Sequence, residues 1–171
     1  GATPPTFYYH FHDKYELVAW IFLLDLADIC GDKDPDYSSK TINSILKRVE
    51  KRRTFYSKAY QENSQNSINR YVQNFNVELG KNALKELTGT EAITAKQLLA
   101  IKYHSYGIMG IFKEWLMGDL SISTNDLACF QFEHTPEFLK EALRSYQYHR
   151  SNILEQSTNT FSESKLGSHA E

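Results

Sequence analysis

The chain of 171 residues carries 19 Lys+Arg against 21 Asp+Glu, a formal net charge of −2, with 41% hydrophobic and 23% charged residues. This is an ordinary composition for a globular chain with a real core, and it excludes a polycation that holds nucleic acid through a global field, so any such contact needs a local patch. Cys30 and Cys129 stand far apart outside any CxxC pattern, which argues against a disulfide framework or a zinc site and reads as two buried thiols in a reducing compartment.

No apolar run approaches the roughly 20 residues that span a bilayer, and no signal peptide is visible. The expectation is a soluble, cytoplasmic protein that does not engage a membrane. The chain opens at Gly1-Ala2 without a methionine, as a fragment would.

The first predicted element is short. Thr3 can cap a first turn, with Pro4 or Pro5 at its first helical positions. Phe7 and Phe11, four apart, form a buried side. Thr6, Tyr8, Tyr9 and His10 crowd hydrogen-bonding tips onto the same element, and hydroxyls and a helix N-terminus both suit phosphate oxygens. His12-Asp13 with Glu16 is an Asp variant of a capping box. A helix follows to about Ile29, with Leu17, Trp20, Ile21, Leu24 and Ala27 at three- and four-residue spacing. Asp25 and Asp28 share one side of it and read as a solvated pair. Gly31 stops this helix, and a polar loop with Pro35 leads on to Ser39.

Ile42, Ile45, Leu46 and Val49 mark the next helix, and Phe55, Tyr56, Ala59 and Tyr60 continue the pattern after a break near Arg53. Asn63-Ser64-Gln65-Asn66 interrupts it. Ile68, Tyr71, Val72, Phe75 and Leu79 resume the period, and Ala83, Leu84 and Leu87 end it. A capping pattern at Thr88 to Glu91 precedes the longest apolar helix, about Thr94 to Met117, closed by Gly118. A last helical region holds Asn125 to Phe132 and restarts after Thr135-Pro136. Residues 156–171, poor in apolar side chains, read as a frayed tail. Strand alternation and internal repeats are absent, so the predicted class is all-α.

The opening block carries a resemblance. Gly1, a small capping hydroxyl at Thr3, Thr6-Phe7-Tyr8-Tyr9-His10-Phe11 and then Asp13-Lys14 resemble the end of the TetR-family helix-turn-helix, matching over about seventeen residues in register. The resemblance implies a TetR-like fold: residues 1–16 the C-terminal part of a helix-turn-helix, 17–155 a helical-bundle domain for ligand binding and dimerisation, and 156–171 the tail. It also implies a transcriptional regulator that grips a double-stranded DNA operator as a homodimer, modulated by a small-molecule effector. Thr6 and Tyr8 fall where the family contacts bases and phosphates, Tyr9 and His10 where it grips the backbone, and Lys14 where it neutralises a phosphate; Thr3 caps the same helix toward the DNA. Pro4 departs from the pattern, because proline offers no donor to a base edge. The family's first helix and most of its second would precede Gly1, so residues 1–171 alone are expected to bind DNA poorly in a salt-dependent gel shift.

The remainder fits the family more loosely. Lys51-Arg52-Arg53-Thr54-Phe55-Tyr56 is similar to a recurring basic-aromatic stretch, and reads equally as a solvated basic face. The helix from Thr94 to Met117 is placed like the family's eighth, and Thr124 to Tyr148 like its ninth. Tyr103-His104-Ser105-Tyr106-Gly107 with Lys113-Glu114-Trp115-Leu116 and then Ser123 to Ala128 is similar to the group that includes regulators of dihydroxyacetone kinase operons. Gly107 and Gly110 cost the long helix about 1 kcal/mol each relative to alanine, which points either to close approach of a partner helix or to tight packing within one subunit. The expected dimer seam holds these two glycines with Ile108, Ile111, Phe112 and Trp115, joined by Phe130, Phe138 and Leu139. Candidate pocket residues are Tyr60, Tyr71, Phe75, Tyr103 and His104.

An enzyme finds no support: GxSxG, P-loop, HExxH and Cys-His signatures are all missing, and neither a metal nor another cofactor is implied. The competing reading is a helical co-regulator or adaptor that dimerises and docks a partner protein, with weak or no DNA binding of its own.

Overall fold

The computed structural model describes residues 14–31, 36–62, 68–146, 153 and 155. Thr3, Thr6, Tyr8, Tyr9 and His10 lie outside the described residues, as do the Asn63 to Asn66 interruption, the tail and the side chain of Cys30. Within the described residues the chain is helical throughout: α1 (Lys14–Gly31), α2 (Ser39–Lys51), α3 (Arg53–Gln61), α4 (Ile68–Thr88), α5 (Ala95–Met117), α6 (Thr124–Glu133) and α7 (Glu137–Ser145).

Local chemistry sets most of the boundaries. Ser38 caps α2 by accepting from Thr41 N at 3.2 Å. The helix breaks at Arg52, whose N–H bonds Val49 O at 2.9 Å in a tightened last turn, and α3 restarts at the next residue. The expected capping pattern at Thr88 to Glu91 is not the one used: the Thr88 hydroxyl donates back to Leu84 O inside α4, and Gly89 at φ +69° ends that helix. Thr94 and Gln97 form the capping box of α5 instead, through Gln97 N to Thr94 Oγ1 at 3.1 Å and Thr94 N to Gln97 Oε1 at 2.9 Å. Gly118, left-handed at φ +84°, closes α5 as expected. The last helical region breaks and restarts as expected: α6 stops at His134, and Pro136 occupies the cap position before α7 rather than a first helical position.

Helix α4 is the centre of the bundle, with α1, α5 and α7 packed on it; α6 lies on α2, and α3 lies on α1 and α5. Two hydrophobic clusters result. The larger joins Leu23, Leu46, Tyr56, Phe75, Trp115 and Leu116. The smaller joins Val77, Leu84, Ile101, Leu139 and Leu143. Gly80 sits where α5 and α7 press on α4: a Cβ there would stand 3.1 Å from Ile101 Cγ2 and 3.3 Å from Leu139 Cδ1.

Several sequence expectations change. The buried stripe of α1 is Glu16, Ala19, Leu23 and Ala27, all fully buried, whereas Leu17, Trp20, Ile21 and Leu24 are only partly covered. The helix is apolar on every side and packs against α2, α3 and α4, so periodicity alone does not select its inner face. Asp25 is not a solvated carboxylate but is 6% exposed. Cys129 is half-buried rather than buried.

Candidate functional site

Between the two clusters lies a cavity of about 160 Å³. Its wall draws on α1 through Phe22 and Leu26, α2 through Ile42 and Leu46, and α5 through Met109 and Phe112. Ile101, Leu139 and Leu143 close it from the side of the smaller cluster. Gly80 also faces it, so the absence of a side chain there both tightens helix contact and keeps space open. Among the described residues Asp36 is the one exposed residue in this wall, and it marks where the cavity meets solvent.

Two polar side chains of this mainly apolar wall, Tyr37 and His104, converge on one threonine. Thr135, buried at the break between α6 and α7, donates its hydroxyl to Gln131 O at 2.8 Å. Tyr37 Oη lies 2.7 Å and His104 Nε2 3.2 Å from the same Thr135 Oγ1. Burial pushes the His104 imidazole down to about 4, because nothing nearby compensates the cation. Burial likewise pushes the Tyr37 phenol up, partly opposed by its bond to Thr135. Both side chains are therefore neutral at physiological pH. Ser105 also lines the wall, with its hydroxyl committed to Gln73 O at 3.0 Å.

Of the five candidate pocket residues, His104 alone is in this wall. Tyr60, Tyr71 and Phe75 are core packing, at 8%, 5% and 0% exposed, and Tyr103 is 82% exposed on the outer face of α5. Tyr37 and Thr135 escaped sequence reasoning. One sits in a loop and the other at a helix break, and neither has a periodic signal.

The expected dimer seam divides in the same way. Phe112, Trp115 and Leu139 are sealed inside the subunit and so do not form an outer seam, while Ile108, partly buried, stands in the cavity wall. Gly107, Gly110 and Phe130 are exposed; Ile111 and Phe138 are partly buried. Among the described residues nothing stands within 4 Å of a Cβ on Gly107 or Gly110, so none of them supplies the tight packing within one subunit that would account for these glycines. Leu99, Tyr103 and Tyr106 are exposed on the same helix, and the spacing 99, 103, 106, 110 places an apolar and small-residue stripe along one face of α5.

A second constellation ties α1 to its neighbours. Asp25 accepts from Tyr56 Oη at 2.9 Å, Arg52 Nη1 at 3.1 Å and Arg48 Nη1 at 3.4 Å. Burial and then the Asp25 charge push the Tyr56 phenol up, so it stays a donor. Arg53 stacks its guanidinium 4.7 Å from the Trp115 ring centroid. The basic-aromatic stretch thus has two of its arginines in specific contacts rather than forming a uniformly solvated face. Lys14, exposed at the start of α1, pairs with Glu62 just beyond α3. The hydrogen bond to Glu62 holds the Lys14 ammonium up, and the same bond holds the Glu62 carboxyl down.

Among the described residues no group of three His, Cys, Asp or Glu side chains could hold a metal ion, and no helix is long and apolar enough to cross a membrane. Residues 36–133 match the family model TetR_C_8, described as a transcriptional regulator C-terminal region. No curated protein and no solved structure matches.

Proposed function

The chain belongs to the TetR-type transcriptional regulators, whose C-terminal region covers more than half of it, and on that premise we propose a homodimeric, cytoplasmic, non-enzymatic regulator whose hold on a double-stranded DNA operator is modulated by a small molecule in the α1–α7 cavity. The observation that carries this reading is the placement of Phe22 and Leu26 in the cavity wall. Both belong to α1, the helix that directly follows the segment resembling a DNA-reading helix.

An occupant pressing on Phe22 and Leu26 tilts α1 against the anchor that Asp25 makes to Arg48, Arg52 and Tyr56. In a dimer that tilt changes the spacing of two DNA-reading helices, which must meet half-sites about 34–36 Å apart. Only an occupant with different affinity for the two arrangements shifts the equilibrium. The exposed stripe of Leu99, Tyr103, Tyr106 and the two glycines on α5 supports self-association through that helix. The pattern similar to regulators of dihydroxyacetone kinase operons places only His104 and Ser105 in the wall, and a mainly apolar wall suits an apolar molecule better than a triose.

The test is DNA affinity of the full-length regulator on the DNA upstream of its own gene, measured by fluorescence anisotropy at several salt concentrations. Leu26→Trp, which wedges the cavity from α1, is expected to change that affinity by tenfold or more while leaving the dimer intact. Unchanged DNA affinity in a folded Leu26→Trp dimer would remove the coupling between cavity and DNA.

A further inference from the structure

We propose that the cavity takes a small, neutral, largely apolar molecule of about one aromatic ring that carries one hydrogen-bond donor, a phenol or a compact alcohol, read by Tyr37 and His104. This deepens the sensing role proposed above and rests on it.

Size comes first. A void of about 160 Å³ is close to the roughly 150 Å³ cavity lined by Leu, Ile and Phe that admits benzene. Charge comes second. Among the described residues Asp36, at the exposed edge, is the only formally charged side chain in the wall, and none of those in the wall is a Lys or Arg that could meet an anion. A buried ion without a partner is costly, so a carboxylate ligand is disfavoured, and a cation has only a solvated partner at the rim.

The direction of the polar contact follows from counting protons. Thr135 Oγ1 spends its only hydrogen on Gln131 O, which accepts and cannot donate. Its lone pairs therefore accept from both neighbours, so Tyr37 Oη donates to it at 2.7 Å and His104 is the Nε2–H tautomer. The valences left on this pair are all acceptors: the lone pairs of Tyr37 Oη and the bare Nδ1 of a neutral His104. Ser105 is committed to Gln73 O. Asn76, Gln131 and Thr41 also line the cavity: the two amides can either donate or accept, and Thr41 Oγ1, which accepts from Ser38 Oγ at 3.3 Å, keeps its own hydrogen. The cavity is thus an apolar slot with an acceptor pair in its wall, and a ligand without an O–H or N–H leaves that pair unanswered.

Calorimetry and thermal shift on the full chain use phenol, its methyl ether anisole, toluene, benzoate and benzylammonium as probes. Phenol is expected to bind at least tenfold more tightly than anisole, with benzoate and benzylammonium weaker still. Tyr37→Phe and Thr135→Val are expected to bring phenol and anisole to within about threefold of each other. Thr135→Val acts by freeing the Tyr37 and His104 hydrogens to donate. Retained toluene binding in either variant certifies the fold. Anisole matching phenol in the wild type, benzoate outcompeting both, or no ring compound binding at all overturns the proposal. Phenol bound with the expected preference while DNA affinity of the full-length regulator stays fixed upholds the ligand class and overturns the sensing role instead.

Discussion

Asp25 shows how one side chain can determine a joint. Its carboxylate is 6% exposed, and a buried carboxylate is tolerated only where donors surround it. Here they come from α2 through Arg48, from the α2–α3 junction through Arg52, and from α3 through Tyr56. Asp25→Asn removes the charge but keeps an acceptor, and weakens three contacts at once. Hydrogen bonds to charged groups contribute about 1.5–3 kcal/mol, so its cost in urea unfolding is expected at about 2 kcal/mol. Tyr56→Phe leaves the carboxylate its two arginines and should cost about 1 kcal/mol, with the double variant less than additive. An Asp25→Asn protein within about 0.5 kcal/mol of wild type would show that the network does not hold the joint. His104 makes a prediction of opposite chemical sense. Its folded pKa lies near 4, below its ordinary 6.5, so between these values the unfolded chain binds a proton that the folded chain refuses. The stability this linkage governs is complete above pH 6.5 and declines as pH falls toward 4, by on the order of 3 kcal/mol at most. The ring's contacts Tyr37 and Thr135 are uncharged there, and Asp36 is the charged group of the same wall. Denaturation at pH 7 and pH 5 should show an excess loss in wild type that is missing in His104→Gln.

At the scale of the helix, α5 separates two demands. Its inward positions Ile101, Met109, Phe112 and Trp115 build the core, while Gly107 and Gly110 look onto open space. A residue that only filled this helix would be better as alanine or leucine by about 1 kcal/mol. Gly107→Leu is therefore expected to leave the subunit as stable as wild type or more so, and to shift the protein from dimer to monomer in sedimentation equilibrium. A dimer as tight as wild type would place the partner helix elsewhere. Periodicity made α2 and α4 legible in the sequence, because each packs one clear stripe, and α5 was legible through its length and the glycine that closes it. Periodicity failed where an element is apolar all round: Leu17, Trp20, Ile21 and Leu24 resemble an inner face as closely as the Ala19, Leu23 and Ala27 stripe that is buried. Spacing also cannot tell a core aromatic from a surface one. Phe112 and Trp115 therefore read as seam candidates although both are sealed, and Tyr103 read as a pocket residue although it is exposed. The cavity was legible only at His104. Its wall is assembled from chain segments as distant as Phe22 and Leu143, and its polar pair depends on a loop residue and a helix break.

For the whole molecule, the governing feature is that its two hydrophobic clusters do not merge. A void of about 160 Å³, at roughly 24 cal/mol per Å³ for a closed cavity, forgoes packing of at most about 4 kcal/mol, because its edge at Asp36 meets solvent. That is a sizeable part of the 5–15 kcal/mol that holds an ordinary domain folded. An occupant restores those contacts and stabilises the folded state by mass action. Ile108 tests whether the void or a subunit interface governs this region, because its spacing suggests a seam whereas it stands in the cavity wall. Ile108→Phe extends a ring into empty space instead of into packed neighbours, so the usual overpacking penalty is relieved. The expected result is a gain of about 1 kcal/mol, seen as a melting temperature higher by about 2–4 °C, with toluene binding lost and the dimer intact. Dissociation of the dimer by this substitution would return Ile108 to the seam. A lower melting temperature with toluene still bound would mean that the side chain does not reach the void, and that the two clusters are separated by other residues.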